Sequence, residues 1–220
     1  MVKKSQNPKI MPIVSSDKIL IGMFFALRQS WELLSSARVL HEAEKFSAAY
    51  GLAVFCREEI GKSKILEKHW QASTAGQPVS VSDLNTGEMR SHSKKLRAVG
   101  KVLSEGVISQ GTPPNPGSPE ADEEFRHIHE INVRARALDP DRTHLGRQRA
   151  FYVEMHETAV GWWKPWTQFD RTRSRGEILE AECVYLFRRS ELELLKEKVS
   201  AADFELGNSL HLPPELGPGG

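Results

Sequence analysis

The chain has 220 residues, a length typical of one domain with peripheral segments. Hydrophobic residues make up 39% of it and charged residues 27%, as in an ordinary soluble protein. The formal net charge of +1 excludes a strong overall attraction to nucleic acid, so any RNA contact would have to come from a local patch.

Cysteine usage and hydropathy indicate where the protein works. Cys56 and Cys183 are the only cysteines, and both lie in predicted helices, which favours a reduced intracellular chain; one disulfide between them is the alternative. The apolar run 19–27 is nine residues long, against the roughly 20 that span a bilayer. No small-residue cleavage site follows it. We therefore expect a cytoplasmic protein that does not bind a membrane.

The first predicted helix follows an N-terminal arm. Residues 1–16 contain Pro8 and Pro12 without sustained periodicity and are predicted to be flexible. Serines at the end of this arm and Asp17 offer capping oxygens. The following apolar residues recur at steps of four and three, which predicts a bundle helix ending near residues 40–43: Leu20, Phe24, Leu27, Trp31 and Leu34.

The second predicted helix, residues 44–70, is apolar over most of its circumference and should be the most buried element. Glu59 and Lys62 occupy two positions of one apolar stripe, and Glu58 lies four residues before Lys62. Charges removed from water cost several kcal/mol each unless they find partners. We therefore expect partners for this polar group.

A third helix is predicted over residues 83–107, with Ser80 and Asp83 spaced like a capping box. His92 interrupts its apolar stripe, and Lys95 follows three residues later. A histidine on an apolar face is commonly a hydrogen-bonded core residue, and a catalytic role is the alternative. We expect His92 to approach the Glu58, Glu59 and Lys62 group.

The rest of the chain is more irregular. Residues 110–120 are rich in proline and glycine and predict a mobile loop. Residues 150–155 fit a short strand or a helix equally well. A last helix is predicted over residues 174–199, and residues 201–220 are predicted to form a flexible tail. His127, His129 and Glu130 suggest a metal site, but they lack the i, i+4 histidine pair that places two imidazoles on one helix face, so we predict neither a metal site nor a cofactor.

Three motifs in order resemble the abortive-infection AbiV family of the HEPN superfamily. The first is Glu58-Glu59-Ile60-Gly61-Lys62, and the second is His92-Ser93-Lys94-Lys95. The third runs from Arg147 through Phe151-Tyr152-Val153-Glu154 to Gly161-Trp162-Trp163-Lys164-Pro165. The family has Leu and Asp where this chain has Phe151 and Glu154, which are mild changes in shape and charge.

The resemblance implies an all-α fold, an antiparallel HEPN-type bundle of about four to six helices. It would form a single domain over residues 17–200, with a short irregular or strand-like insertion before the last helix. The resemblance also implies a phage-defence role, a homodimer, RNA as a substrate and a phage protein as a possible trigger.

Two groups of residues compete as the catalytic site. HEPN nucleases carry an Arg and a His separated by four to six residues, and Arg149 and His156 have this spacing, which on a helix would place them on one face. The rival group joins an acid, an imidazole and ammonium cations on two helices: Glu58, Glu59, Lys62, His92 and Lys95. A buried polar network that fixes helix register is the other interpretation of the second group.

The third motif also supplies candidate binding residues, namely Tyr152, Glu154 and Trp163, and its tryptophans would either stack on bases or cover the bundle end. Two functions follow from the resemblance. The chain is either a metal-independent endoribonuclease that stops translation, or a non-catalytic defence protein that binds a phage protein or the translation machinery. A ligand-binding regulator is a third class, and the absence of a helix-turn-helix signature counts against it.

Overall fold

A computed structural model describes residues 12–109, 140–151, 154–156, 161–202, 206 and 210–213. The helices within these residues are α1 (Ser16–Glu42), α2 (Phe46–Thr74), α3 (Val81–Leu84), α4 (Gly87–Arg90), α5 (His92–Ser109), α6 (Pro140–Phe151), α7 (Pro165–Gln168) and α8 (Arg171–Ala202). The strands are β1 (Glu154–His156) and β2 (Gly161–Trp163). The predicted all-α fold class is confirmed, as is the strand-like insertion before the last helix.

Helix α2 is the central element of the bundle, because α1, α5, α6 and α8 all pack against it. Its apolar circumference explains this position, since a helix that is hydrophobic on most sides must be covered on most sides. The main core draws on α1, α2, α5 and α8 and includes Phe24, Leu34, Ile60, Val102 and Tyr185. Burial of this surface is the main stabilising contribution to the fold.

The turn between α1 and α2 holds the start of α2 in place. The amide of Lys45 donates to the carbonyl of Leu40 at 2.8 Å, and that of Glu44 donates to the carbonyl of His41 at 3.0 Å. These two bonds form a Schellman motif, in which the residue after the helix cap takes a left-handed conformation. Glu44 does so with φ 59°, although glycine is usual at this position.

The third helix differs from the prediction. The capping box of Ser80 and Asp83 is present, but it caps the single turn of α3, and the long helix α5 begins only at His92. Gly87 is a poor helix former, and Ser91 takes an extended conformation that interrupts the helix before His92. The Ser91 hydroxyl then accepts from the Lys94 amide at 3.3 Å, so it caps α5.

Both terminal segments are partly packed where they are described. Residues 12–14 pair with residues 79–81 through bonds such as that from the Val14 amide to the Val79 carbonyl, 2.8 Å. Leu210 is fully buried against the core, so this part of the predicted tail is not loose. The predicted mobile loop at residues 110–120 lies outside the described residues. None of the described helices has the length and hydropathy to cross a membrane.

The ambiguous segment 150–155 divides between a helix and a strand. Helix α6 ends at Phe151, and β1 begins at Glu154. Strand β1 pairs with β2 in an antiparallel register that places Glu154 opposite Trp163 and His156 opposite Gly161.

Candidate functional site

Glu58 is the centre of a cluster to which α2, α5 and α6 all contribute. Its residue is only 1% exposed, and its Oε2 lies 2.6 Å from His92 Nδ1 and 3.5 Å from Lys95 Nζ. Its Oε1 lies 3.4 Å from Arg147 Nε. A buried carboxylate is therefore surrounded by one imidazole and two cations, which offset its desolvation.

Gly61 brings α5 close enough for these contacts. A Cβ at this position would lie 1.9 Å from the carbonyl oxygen of Lys95, so only glycine permits this approach of the two backbones. His92 and Lys95 are three residues apart at the start of α5 and therefore share one helix face. The glycine of the Glu-Glu-x-Gly-Lys motif thus serves to place the His-x-x-Lys motif against Glu58.

Helix α6 adds a second imidazole. The rings of His144 and His92 stack with centroids 5.0 Å apart and an interplanar angle of 13°. Arg147 Nη2 lies 3.1 Å from His144 Nδ1, and an arginine can only donate, so this nitrogen of His144 is the acceptor. The pair of His144 and Arg147 repeats on α6 the imidazole-x-x-cation spacing of His92 and Lys95.

The cluster is graded from a buried centre to an accessible edge. The side chain of Glu58 is 2% exposed, those of Lys95 and Arg147 are 10% and 11% exposed, and that of His92 is 37% exposed. Within the described part of the chain, Glu58 Oε1 and Arg147 Nε are buried atoms with no hydrogen-bond partner. Such atoms are rare in native proteins, and the other two in the described residues are Arg57 Nε and Glu177 Oε1, in an ion pair between α2 and α8.

The cluster has donor atoms of the kind that bind metals. Ligand atoms of Glu58, His92 and His144 lie within 4.8 Å of one another. However, Lys95 and Arg147 hold the same carboxylate, and a divalent cation there would lie beside two fixed positive charges. The charge balance therefore favours an anion at the edge of the cluster, and the imidazoles are suited to proton transfer.

The predicted pair of Glu59 and Lys62 lies apart from this centre. Lys62 Nζ is 3.1 Å from Glu59 Oε2, and the two side chains are 39% and 20% exposed. A glutamate was expected to reach Lys62, and Glu59 does so. His92 was expected to approach the same group, and it contacts Glu58. The stripe had placed Glu59 in the core, whereas Glu58 is the buried one, because α2 is covered on most sides and has no single buried face.

Arg149 and His156 do not lie two turns apart on one helix. Arg149 is half-buried on α6, which ends at Phe151, and His156 belongs to strand β1. The structure therefore does not place this pair on one helix face. Tyr152 and the side chains of Glu154, His156 and Trp163 lie outside the described residues.

His144 and the role of Arg147 were not predicted from the sequence. Arg147 entered only as the first residue of the third motif, and His144 was not singled out. Their spacing of three residues on a helix was a usable signal, since it copies His92 and Lys95. Their proximity to Glu58 depends on how α6 packs on α2, which no local pattern predicts.

Two further ionic networks join α2 to α8. Arg57, which is 1% exposed, lies 2.9 Å from Glu177, and Glu180 contacts the same guanidinium. Burial raises the pKa of Glu177 to about 7, against the opposing effect of Arg57. In the second network, Arg188 binds Ser63, Glu67 and Glu191. Both networks hold α8 against α2, although Arg57 Nε and Glu177 Oε1 lack hydrogen-bond partners within the described residues.

Comparison with known proteins supports the resemblance. A family model described as AbiV, within the HEPN domains, matches residues 18–181, which is most of the chain and includes every residue of the cluster. No curated protein matches the chain, and no solved structure matches it.

Proposed function

Because the chain belongs to the AbiV family of HEPN abortive-infection proteins, which act in phage defence, we propose that it is an endoribonuclease whose active site is the cluster around Glu58. The cleavage is independent of metal ions. The observation that supports this most directly is the hydrogen bond between His92 and the buried carboxylate of Glu58, at 2.6 Å.

This hydrogen bond prepares His92 to act as a general base. A carboxylate accepts, so His92 Nδ1–H donates to Glu58, and the lone pair of the neutral ring is on Nε2. When Nε2 takes the proton of a ribose 2′-hydroxyl, Glu58 stabilises the imidazolium that forms. The 2′-oxygen then attacks the adjacent phosphorus, and the 5′-oxygen leaves with a proton from water. The products are a 2′,3′-cyclic phosphate and a 5′-hydroxyl.

The other groups of the cluster stabilise negative charge on the phosphate. Lys95 and Arg147 lie on the buried side of His92 and create a positive potential there. Because His144 Nδ1 accepts from Arg147, the proton of the neutral His144 ring is on Nε2, which makes Nε2 a donor to a phosphoryl oxygen. A single donor of this kind contributes about 3 kcal/mol to a transition state in well-studied enzymes.

A non-catalytic defence protein is the second candidate. The observation that favours it is the near-complete burial of Glu58 between Lys95 and Arg147, as in a polar network that fixes the register of helices. In that case the cluster would shape a surface that binds a phage protein or the translation machinery. The 37% exposure of the His92 side chain favours the catalytic interpretation, because a purely structural histidine needs no access to solvent.

Incubation of the pure protein with a single-stranded RNA in excess chelator tests the proposal. We expect fragments that end in 2′,3′-cyclic phosphate, and no cleavage of the DNA of the same sequence, which lacks the nucleophile. Fragments with 5′-phosphate ends that disappear on chelation would contradict the proposed chemistry. Intact RNA together with a defence function in cells would support the binding protein instead.

A further inference from the structure

A groove beside the cluster is the feature that the proposed chemistry leaves unused. It has a volume of about 410 Å3, within the range of small-molecule sites, and lies where the start of α2 meets the end of α6 and α7. Its apolar lining is mainly aromatic, with Phe46, Phe151 and Phe169 together with Pro165. Phe151 is 40% exposed.

A chain of direct contacts connects the groove to Glu58. Arg147, which lies 3.4 Å from Glu58, places its guanidinium 4.8 Å from the centroid of the Phe55 ring. The ring of Phe55 lies 5.7 Å from that of Phe151, which lines the groove. Arg147 and Phe55 therefore lie between the cluster and the groove, and these contacts connect the two sites.

Arginine and phenylalanine alternate along this surface. Besides Arg147 over Phe55, Arg171 lies over Phe46 at 5.7 Å, and Arg173 lies over Phe169 at 4.6 Å. Unpaired bases stack on both aromatic rings and guanidinium planes. Phe169 is only 3% exposed and Phe151 is 40% exposed, so Phe151 is the accessible stacking ring of the groove.

The charge of this region also suits a nucleic acid strand. Glu44 and Lys45 line the groove, and Arg171 and Arg173 lie over two of its aromatic rings. The pair between Arg171 and Glu44, 3.1 Å, neutralises part of this positive charge. Lys45 and Arg173 are the cations at this surface that a phosphate backbone could contact.

We propose that the groove binds an unpaired base of single-stranded RNA, next to the phosphate that is held at the cluster. The inference rests on the proposed RNA substrate but not on cleavage. Phe151 is the main stacking residue. The ring of Phe151 is accommodated by Gly51, where a Cβ would lie 2.2 Å from Phe151 Cε2. A duplex would be excluded, because its bases are already stacked and paired.

Fluorescence anisotropy with a 2′-O-methyl oligonucleotide tests this inference, since the probe lacks the 2′-hydroxyl and cannot be cleaved. At fixed salt we expect the single strand to bind at least about tenfold more tightly than the same strand annealed to its complement. Phe151→Ala should weaken binding of the single strand by about tenfold, a typical loss for one stacked base, and leave duplex binding unchanged. Phe25→Ala is the matched control, because Phe25 is 64% exposed on α1 and does not line the groove.

The outcomes separate this inference from the proposed function. Phe151-dependent binding by a protein that cleaves no RNA would support the groove and contradict the nuclease. Equal affinity of the original protein and Phe151→Ala for the single strand would overturn the groove, even if RNA is cleaved. Failure to bind any oligonucleotide would also overturn the proposed base site. An apolar segment of a protein would then be the remaining candidate ligand of the groove.

Discussion

His92 Nδ1 lies 2.6 Å from Glu58 Oε2, which joins two motifs that are 34 residues apart in the chain. Each residue alone would destabilise a helical bundle, since Glu58 is a buried charge and His92 interrupts an apolar face. Together, and with Lys95 and Arg147, they form a compensated group with one accessible edge. This relationship supports both the stability of the site and its proposed chemistry.

Removal of Glu58 should be strongly destabilising. Glu58→Ala leaves Lys95 and Arg147 in a buried site without their carboxylate, and we expect a loss of about 3–5 kcal/mol in the free energy of unfolding. Glu59→Ala is the matched control, because its pair with Lys62 is partly exposed and should contribute about 1 kcal/mol or less. Urea denaturation measures both. Equal losses would contradict the assignment of Glu58 as the buried partner.

Gly61 should not tolerate a side chain. A methyl group in Gly61→Ala would meet the backbone of Lys95, so α5 has to move away, and we expect a loss of at least about 1–3 kcal/mol. Gly100→Ala is the control on α5, because nothing lies within 4 Å of a Cβ there. This change should stabilise the protein by about 0.5–1 kcal/mol through helix propensity. Thermal unfolding of both variants would show opposite shifts, and a neutral Gly61→Ala would contradict the close approach.

Stability should fall as the pH rises from about 4.5 to about 7 because of Glu177. Burial raises the pKa of this carboxyl to about 7 from an ordinary value of 4.5, so the folded protein holds a proton that the unfolded chain releases. The contribution is present below pH 4.5 and lost through pH 7, at most about 3 kcal/mol. Glu177→Gln cannot lose a proton and should remove this part of the pH dependence. Urea unfolding at pH 5 and 7.5 compares the two proteins, and identical pH dependences would refute the assignment.

The protein is expected to form a homodimer, because HEPN proteins often dimerise. Leu179, Leu186 and Leu194 are 47%, 47% and 61% exposed, and their spacing places them near one side of α8. Leu186→Glu should therefore shift the mass measured by light scattering from dimer to monomer. Phe25→Glu on α1 is the control and should remain a dimer. A monomeric mass for the unaltered protein at micromolar concentration would contradict the expectation.

The sequence predicted the helices better than it predicted their faces. The seam of α1 and the apolar circumference of α2 were sufficient for the bundle, because burial follows periodicity in long helices. The apolar stripe pointed to Glu59 as the buried glutamate, whereas Glu58 is the buried one. The cause is the same apolar circumference that made α2 recognisable as the central helix. A helix covered on most sides has no single stripe from which to infer the buried residue.

The site required information that is not local. Arg149 and His156 have the expected spacing along the chain. Helix α6 ends between them, so this spacing does not place them on one helix face. His144 and Arg147 reach Glu58 only through the packing of α6 on α2. The break before His92 is set by the extended conformation of Ser91, whose hydroxyl caps α5, whereas the capping box at Ser80 suggested an earlier start. Turn chemistry and tertiary packing therefore account for what was missed.

The central claim is that the Glu58 cluster is the active site. The most direct test measures single-turnover cleavage of one RNA, in excess chelator, by His92→Ala and by Arg149→Ala. We predict that His92→Ala loses cleavage by at least about a hundredfold, as expected for a general base, and that Arg149→Ala retains it. His69→Ala, a half-buried histidine elsewhere on α2, controls for the loss of an imidazole. Thermal unfolding should show all three variants folded. Full activity of His92→Ala, or loss of activity in Arg149→Ala alone, would contradict the assignment of the Glu58 cluster as the active site.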